Sequence, residues 1–285
     1  MQNRFSTPNA GEFVSVKGLR LHYVSLGAGR AVVLLHGNAG FAQDFSLVMP
    51  ALAEKGFRAI AFDRPGHGES ERPVGEEATV ALQADLIREV LRDLRVEKPI
   101  LVGHSWGALV VLQYALRFPA ETSGLVLLAP AVYPDEEQFG IEKSLVEIPR
   151  IGDLILKMSS PFIDKEIRSN LARAFAPDEV PADYLELATT VWNRPQQIKA
   201  VIHDEAIYNA TVKSLSARYD KIQTETIIVT GDSDREVNPE KHAIPLHWEI
   251  AHSVLRVLPA TGHMIPHTRP QAVLDAIESI KTRIS

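Results

Sequence analysis

Short runs of consecutive apolar residues recur along the chain, each ending in a cluster of glycine and polar residues. They cover 31–35, 58–62, 99–102, 124–128, 226–230 and 254–258. Runs this short and this continuous predict strands buried on both faces. Between them the period changes. Residues 42–55 have helical spacing, with Gly56 as the stop, and 80–94 place Val80, Leu82, Ile87, Val90, Leu91 and Leu94 on one helical face. Residues 108–115 and 270–284 read as further helices. Near the amino end, 13–16 and 19–25 flank Lys17-Gly18, a hairpin signal. Strands that alternate with helices predict an α/β fold: a mostly parallel, eight-stranded sheet flanked by helices on both faces.

The alternation stops at Ala129-Pro130. From there to about Tyr219 the pattern is helical, punctuated by Pro134, Pro149, Pro161, Pro177, Pro181 and Pro195. We read this stretch as an all-helical insertion over the sheet. The expected division is therefore a core of 1–130 and 220–285, with a cap of 131–219.

Composition narrows the chemistry. A chain of 285 residues suits one domain of generous size, or one domain carrying an insertion. A net charge of -6 gives no electrostatic help toward nucleic acid and weakly opposes an anionic membrane surface. The absence of cysteine removes disulfides, thiolate metal sites and cysteine nucleophiles together. Residues 1–12 are polar, without the apolar centre of a signal peptide, and no stretch approaches the roughly 18 apolar residues of a membrane span. The default expectation is a cytoplasmic protein; oligomeric state is not legible.

The chemistry concentrates at Gly103-His104-Ser105-Trp106-Gly107, between an inferred strand and an inferred helix. Gly-x-Ser-x-Gly in that setting is a nucleophile elbow, a tight turn that lifts a serine hydroxyl out of the sheet. Three more loops end inferred strands, where open α/β sheets bind ligands: His36-Gly37-Asn38-Ala39-Gly40, Gly231-Asp232-Ser233-Asp234 and Thr261-Gly262-His263. Serine, then acid, then histidine is the order of the triad in one fold among those that use this chemistry. Two positions have local rivals, Asp232 beside Asp234 and His267 beside His263.

On these motifs, from about Phe13 to the end, the chain resembles α/β-hydrolase fold enzymes with a helical cap. The resemblance implies Ser105 as nucleophile, activated by a neighbouring base. The family's Gly-His after the last strand selects His263 as that base, and its Gly-x-x-Asp selects Asp234 to orient the imidazole, leaving Asp232 as a turn residue. It implies an oxyanion hole built from the backbone N–H groups of Asn38 and Trp106, with His36 steadying the loop behind it. His104 fills the variable elbow position. The Asp63–Ser70 loop is family-like as well, with Asp63 and Arg64 making local polar contacts. In haloalkane dehalogenases of this superfamily, the positions of Asn38 and Trp106 hold the departing halide. Those enzymes and the related epoxide hydrolases attack with an aspartate at the elbow, and Ser105 stands there instead.

The implied activity is hydrolysis of a carboxylic ester through an acyl-enzyme, with no metal or organic cofactor. Its rate is expected to fall as pH drops through an ordinary histidine pKa, roughly 6–7. Apolar residues of the cap (Leu145, Ile148, Leu154, Phe162, Tyr184, Trp192) suggest a small-molecule ester with a hydrophobic acyl or alcohol group, or are the cap's own core. The same triad serves proline iminopeptidases, which bind a free amine through acidic cap residues; Glu142, Glu147, Asp183, Glu186, Asp204 and Glu205 are available. It also serves hydrolases of carbon–carbon bonds in diketone ring-fission products, and perhydrolase or cofactor-free haloperoxidase side reactions. A ligand receptor on a retained hydrolase fold is the non-enzymatic alternative.

Overall fold

The computed structural model describes residues 11–74, 77–134 and 160–284. Its eight strands form one sheet: β1 (Glu12–Val16), β2 (Leu19–Gly27), β3 (Arg30–Leu35), β4 (Phe57–Phe62), β5 (Ile100–His104), β6 (Gly124–Leu128), β7 (Thr226–Gly231) and β8 (Ser253–Leu258). Their order across the sheet is β1-β2-β4-β3-β5-β6-β7-β8. The first two pairings, β1 with β2 and β2 with β4, are antiparallel, and all others are parallel. The β1–β2 connection is the two-residue turn read from Lys17-Gly18, with φ of 50° and 78°. Positive φ at both positions matches the right-handed twist of the strands it joins.

The central strands alternate between two apolar layers. Val33, Leu35, Leu101, Leu125, Leu127 and Ile228 face one layer, with α2 (Val80–Asp93) and α3 (Gly107–Arg117). Val32, Leu34, Ile100, Val102, Val126, Leu128, Ile227 and Val229 face the other, with α1 (Val48–Glu54) and the carboxyl-terminal helix. Both faces being covered explains why these strands read as unbroken apolar runs.

Between β6 and β7 the described residues form α4 (Ser160–Phe175), α5 (Ala182–Trp192) and α6 (Pro195–Ser216). Pro195 opens α6, where a missing N–H costs nothing. Ile167, Leu171, Phe175, Tyr184, Ala188 and Val191 make a separate apolar cluster with Phe41 and Met264 of the sheet-end loops. Tyr184 also donates its hydroxyl to buried Asp44 Oδ1 at 2.9 Å. Tyr184 is thus a packing residue joining these helices to the sheet. Leu145, Ile148, Leu154 and the side chain of Phe162, together with Glu142 and Glu147, lie outside the described residues.

The chain after β7 adds α7 (Ala243–Glu249), the one-turn α8 (Ile265–Thr268) and α9 (Pro270–Arg283). The predicted helix over 42–55 is divided: Ala42–Phe45 is a 3-10 turn, and α1 starts only at Val48. Two carboxylates seize the start of that segment, Asp63 Oδ1 accepting from Ala42 N–H at 2.6 Å and Asp44 Oδ2 from Phe41 N–H at 3.4 Å. Among the described residues no helix is long and apolar enough to cross a membrane.

Candidate active site

Ser105 occupies the turn between β5 and α3 with φ at +51°, a conformation that a residue with a Cβ adopts only under constraint. The constraint is visible. Ser105 N–H donates to Leu128 O at 2.9 Å, and Ser105 O accepts from Ala108 N–H at 3.0 Å and Ala131 N–H at 3.3 Å. Two close approaches account for the flanking glycines. A Cβ at Gly103 would lie 2.7 Å from Ala108 Cα, and one at Gly107 would lie 2.4 Å from Leu35 O. Sheet and helix meet there too closely for a side chain.

Asp234 and His263 come together across 29 residues of sequence, His263 Nδ1 lying 2.8 Å from Asp234 Oδ2. The other carboxylate oxygen accepts from Glu236 N–H at 2.8 Å and Val237 N–H at 2.9 Å, so the acid is fixed by its own loop. Burial raises the Asp234 pKa, but the His263 charge and hydrogen bond, with the two N–H donors, outweigh it and hold the group below the usual carboxylate value. For His263 the balance is the mirror image: burial lowers, the Asp234 charge and hydrogen bond raise, and the imidazole ends above 6.5. Asp232 is exposed and accepts from Ser233 Oγ at 2.8 Å. His267 lies instead among Tyr184 and Phe175, with ring centroids at 4.2 and 5.6 Å, and burial takes its pKa down to about 4.

His104, assigned no role from sequence beyond filling its position, ties the histidine loop to the elbow. Its Nε2 donates to His263 O at 3.0 Å, and the two rings are 4.8 Å apart. Burial pushes its pKa down to about 3, so the ring is neutral. A second hold comes from α4, where Ala174 O accepts from His263 N–H at 3.0 Å. Nothing in the residue pattern could have signalled either contact, since both depend on how distant segments pack.

The loop after β3 completes the constellation. A Cβ on Gly37 would lie 2.9 Å from Ser105 Cβ, so this loop runs against the serine. Asn38 Nδ2 donates to Glu205 Oε1 of α6 at 3.4 Å, and Ala39 N–H donates to Asn38 Oδ1 at 3.1 Å. Trp106 is the N-cap of α3, so its N–H has no carbonyl partner within the helix. Glu205 is pushed up to about 7, by burial first and by the neighbouring Asp204 charge second. Of the other acidic residues, Asp204 is fully buried and ion-paired to Arg64 at 2.6 Å, while Asp183 and Glu186 are exposed. Among the described residues no group of three or more acidic or histidine side chains could hold a metal ion.

A serine on a constrained turn with a buried carboxylate–imidazole pair tied to the same elbow is an arrangement suited to acyl transfer. Bifunctional epoxide hydrolase 2 of Rattus norvegicus is 28% identical over 165 residues, which is 57% of this chain and 30% of the relative, so the chain spans under a third of that protein's length. The 2-hydroxy-6-oxononadienedioate/2-hydroxy-6-oxononatrienedioate hydrolase of Comamonas testosteroni is 27% identical over 271 residues, covering 90% of this chain and 91% of the relative. Among solved structures, epoxide hydrolase CorEH superposes with a TM-score of 0.80 at 23% identity, over 96% of this chain and 99% of its own, a likeness of fold. A model of the Alpha/beta hydrolase family matches residues 32–276. That span runs from β3 to α9 and includes the loops that carry Asn38, Ser105, Asp234 and His263, and the chain belongs to the alpha/beta hydrolase family.

Proposed function

We propose that this hydrolase cleaves carboxylic esters through an acyl-enzyme, with Ser105, His263 and Asp234 as its triad and residues 131–219 as a cap over the site. The observation that carries the reading is the Asp234–His263 pair, fastened by His104, the residue that precedes Ser105. In the first half-reaction Ser105 Oγ attacks the ester carbonyl carbon while His263 Nε2 takes its proton. The carbonyl oxygen becomes an anion facing the N–H groups of Asn38 and Trp106. Collapse breaks the bond to the alkoxy oxygen, and His263 returns the proton to the departing alcohol. In the second half-reaction a water gives its proton to His263 and attacks the acyl carbon, releasing a carboxylic acid and restoring Ser105.

The epoxide hydrolase relatives belong to a group that attacks with an aspartate, and the serine at the elbow separates this chain from them. Cleavage of carbon–carbon bonds is the second reading, favoured by the Comamonas relative because it aligns over most of both chains. Its named substrates are dicarboxylates. Glu205, in contact with Asn38, becomes anionic above about pH 7 and would repel such a substrate, which leaves a neutral ester as the better fit. An aminopeptidase-like reading loses Asp204, which is paired with Arg64, and would rest on Glu205 alone among the described cap acids in contact with the loop after β3.

A panel of p-nitrophenyl esters of rising acyl length, run beside a proline amide and a ring-fission diketone, tests the reaction class. Ester turnover in the ordinary range of about 1–1000 per second is expected. Faster cleavage of the diketone or the amide than of every ester would overturn the assignment. Turnover slower than about one per hour on all of them, far below that range, would favour the receptor alternative.

The same enzyme should show an acid limb in kcat/KM lying above pH 6.5, because His263 must be neutral to accept the proton and Asp234 raises its pKa. Activity is then present above that pKa and lost as pH falls through it. Imidazole proton shifts followed by NMR against pH give the His263 titration directly. A midpoint below 6.5 would contradict the arrangement.

A further inference from the structure

Arg64 is one of the largest fully buried side chains, 1% exposed, and the reaction just described makes no use of it. From sequence it was expected to make only local contacts. Its guanidinium instead joins four separate segments. Nε donates to His36 O at 3.0 Å and Nη2 to Gly37 O at 2.9 Å, both in the loop after β3. Nη1 donates to Asp204 Oδ2 of α6 at 2.6 Å and to Gln83 Oε1 of α2 at 3.2 Å. Its Cζ lies 4.1 Å from the centroid of the Trp106 ring, within cation–π range.

We infer that Arg64, anchored by Asp204, is the positioning residue of the oxyanion hole, and this rests on the serine-hydrolase reading above. The peptide group gives the reason. Gly37 C=O and Asn38 N–H belong to one planar trans unit, so whatever fixes the carbonyl on one side aims the N–H toward the other. Gly37 O is held by Arg64 Nη2, by His36 Nδ1 at 2.7 Å and, more loosely, by Gly40 N–H at 3.3 Å. The tautomer of His36 follows from its other nitrogen. Arg64 N–H donates to His36 Nε2 at 2.9 Å, so Nε2 is the acceptor and Nδ1 carries the proton. Burial, with the Arg64 charge second, keeps that ring neutral.

Three donors, one of them cationic, thus pull on the carbonyl, and polarisation along the peptide strengthens the opposite N–H. The second oxyanion donor belongs to Trp106, whose ring stacks on the same guanidinium. One side chain therefore sets both donor residues. Asp204, fully buried on α6, also faces Arg72 at 3.5 Å and the neutral ring of His67 at 3.6 Å. Through Asp204 the hole is registered to the helices outside the sheet.

The test is phosphonylation by an alkyl fluorophosphonate. A Ser105 Oγ–P bond forms, the P–F bond breaks, fluoride leaves and the hydroxyl proton passes to His263. Reaction rates are taken per titrated site for wild type, Arg64→Lys and the charge-balanced Arg64→Gln/Asp204→Asn, with intact mass locating the label. Lysine keeps the charge beside Asp204 but cannot fork onto two carbonyls. Folded variants are expected to react roughly 10²-fold more slowly, the order of effect of losing an aligned donor, with kcat reduced and KM near wild type. Wild-type rates in either folded variant, or fewer titratable sites that each react at wild-type rate, would overturn the assignment. In wild type itself the Asn38 amide proton should move downfield on phosphonylation; an unmoved resonance would also overturn it, even if neither variant folds. Absence of any label on wild-type Ser105 would instead overturn the serine-hydrolase reading.

Discussion

Ser105→Ala is expected to reduce ester hydrolysis by roughly 10⁴–10⁶-fold and to leave the fold intact. The turn at residue 105 is held through its N–H and C=O, by Leu128 on one side and Ala108 and Ala131 on the other, and alanine keeps all three hydrogen bonds. Alanine also tolerates a φ of +51° no worse than serine does, since both carry a single Cβ. The melting temperature should therefore stay within about 3 °C, the shift that about 1 kcal/mol produces in a domain near this size. What remains is the contribution of binding and of the oxyanion donors, which survive the substitution. A loss below about tenfold with full solubility would show that another group makes the bond to the acyl carbon.

Asp234→Asn should be nearly as damaging, at roughly 10⁴-fold in kcat. The carboxylate accepts from His263 Nδ1 at 2.8 Å, so the neutral ring carries its proton on Nδ1 and keeps Nε2 free to accept from Ser105. An asparagine that turns its amide nitrogen to His263 forces the opposite tautomer and closes that acceptor. Losing the charge also removes the main force holding the imidazole above 6.5, while burial still acts to lower it. The acid limb of the residual activity should move to lower pH, and titration of the imidazole by NMR would follow the same shift. Asp232→Asn is the control. Asp232 is exposed, and its carboxylate accepts from the neighbouring Ser233 hydroxyl, so activity within about twofold is expected, as for a surface substitution. A large loss at Asp232 with little at Asp234 would reverse the assignment of the acid.

The parts of this molecule legible in its residue pattern are those governed by local physics. Unbroken apolar runs such as Val32-Val33-Leu34-Leu35 announce strands sealed on both faces, and Lys17-Gly18 announces a turn needing positive φ. Pro195 marks where α6 begins. Helix α7 escaped notice because its seven residues are too few to show a period and Pro245 sits among them, although a proline in the first turn removes no helical hydrogen bond. The division of 42–55 was hidden for a different reason. It depends on a carboxylate at Asp63 reaching back to Ala42, a contact formed only once β4 lies beside β3.

The site follows the same rule. Ser105, Asp234 and His263 stand in short motifs whose turn residues sit at fixed offsets, and the structure pairs Asp234 with His263 where Asp232 and His267 were the local rivals. Arg64 and Asp204 carry no such mark, because 140 residues separate the two ends of their ion pair. An arginine followed by Pro-Gly-His-Gly reads as loop chemistry until packing shows that it reaches under Trp106. The same holds for His104, whose contact with His263 O exists only because β5 and the loop after β8 end on the same side of the sheet.

The most direct measurement is to trap the covalent intermediate. The enzyme is mixed with a slowly deacylated p-nitrophenyl ester, quenched in acid within the first turnover, and digested for mass spectrometry. The peptide containing Ser105 should carry the mass of the acyl group, on that serine, at a level matching the burst of p-nitrophenol, and the Ser105→Ala protein should carry none. Steady turnover with no acyl mass on Ser105, or with the label on another residue, would contradict the mechanism at its root.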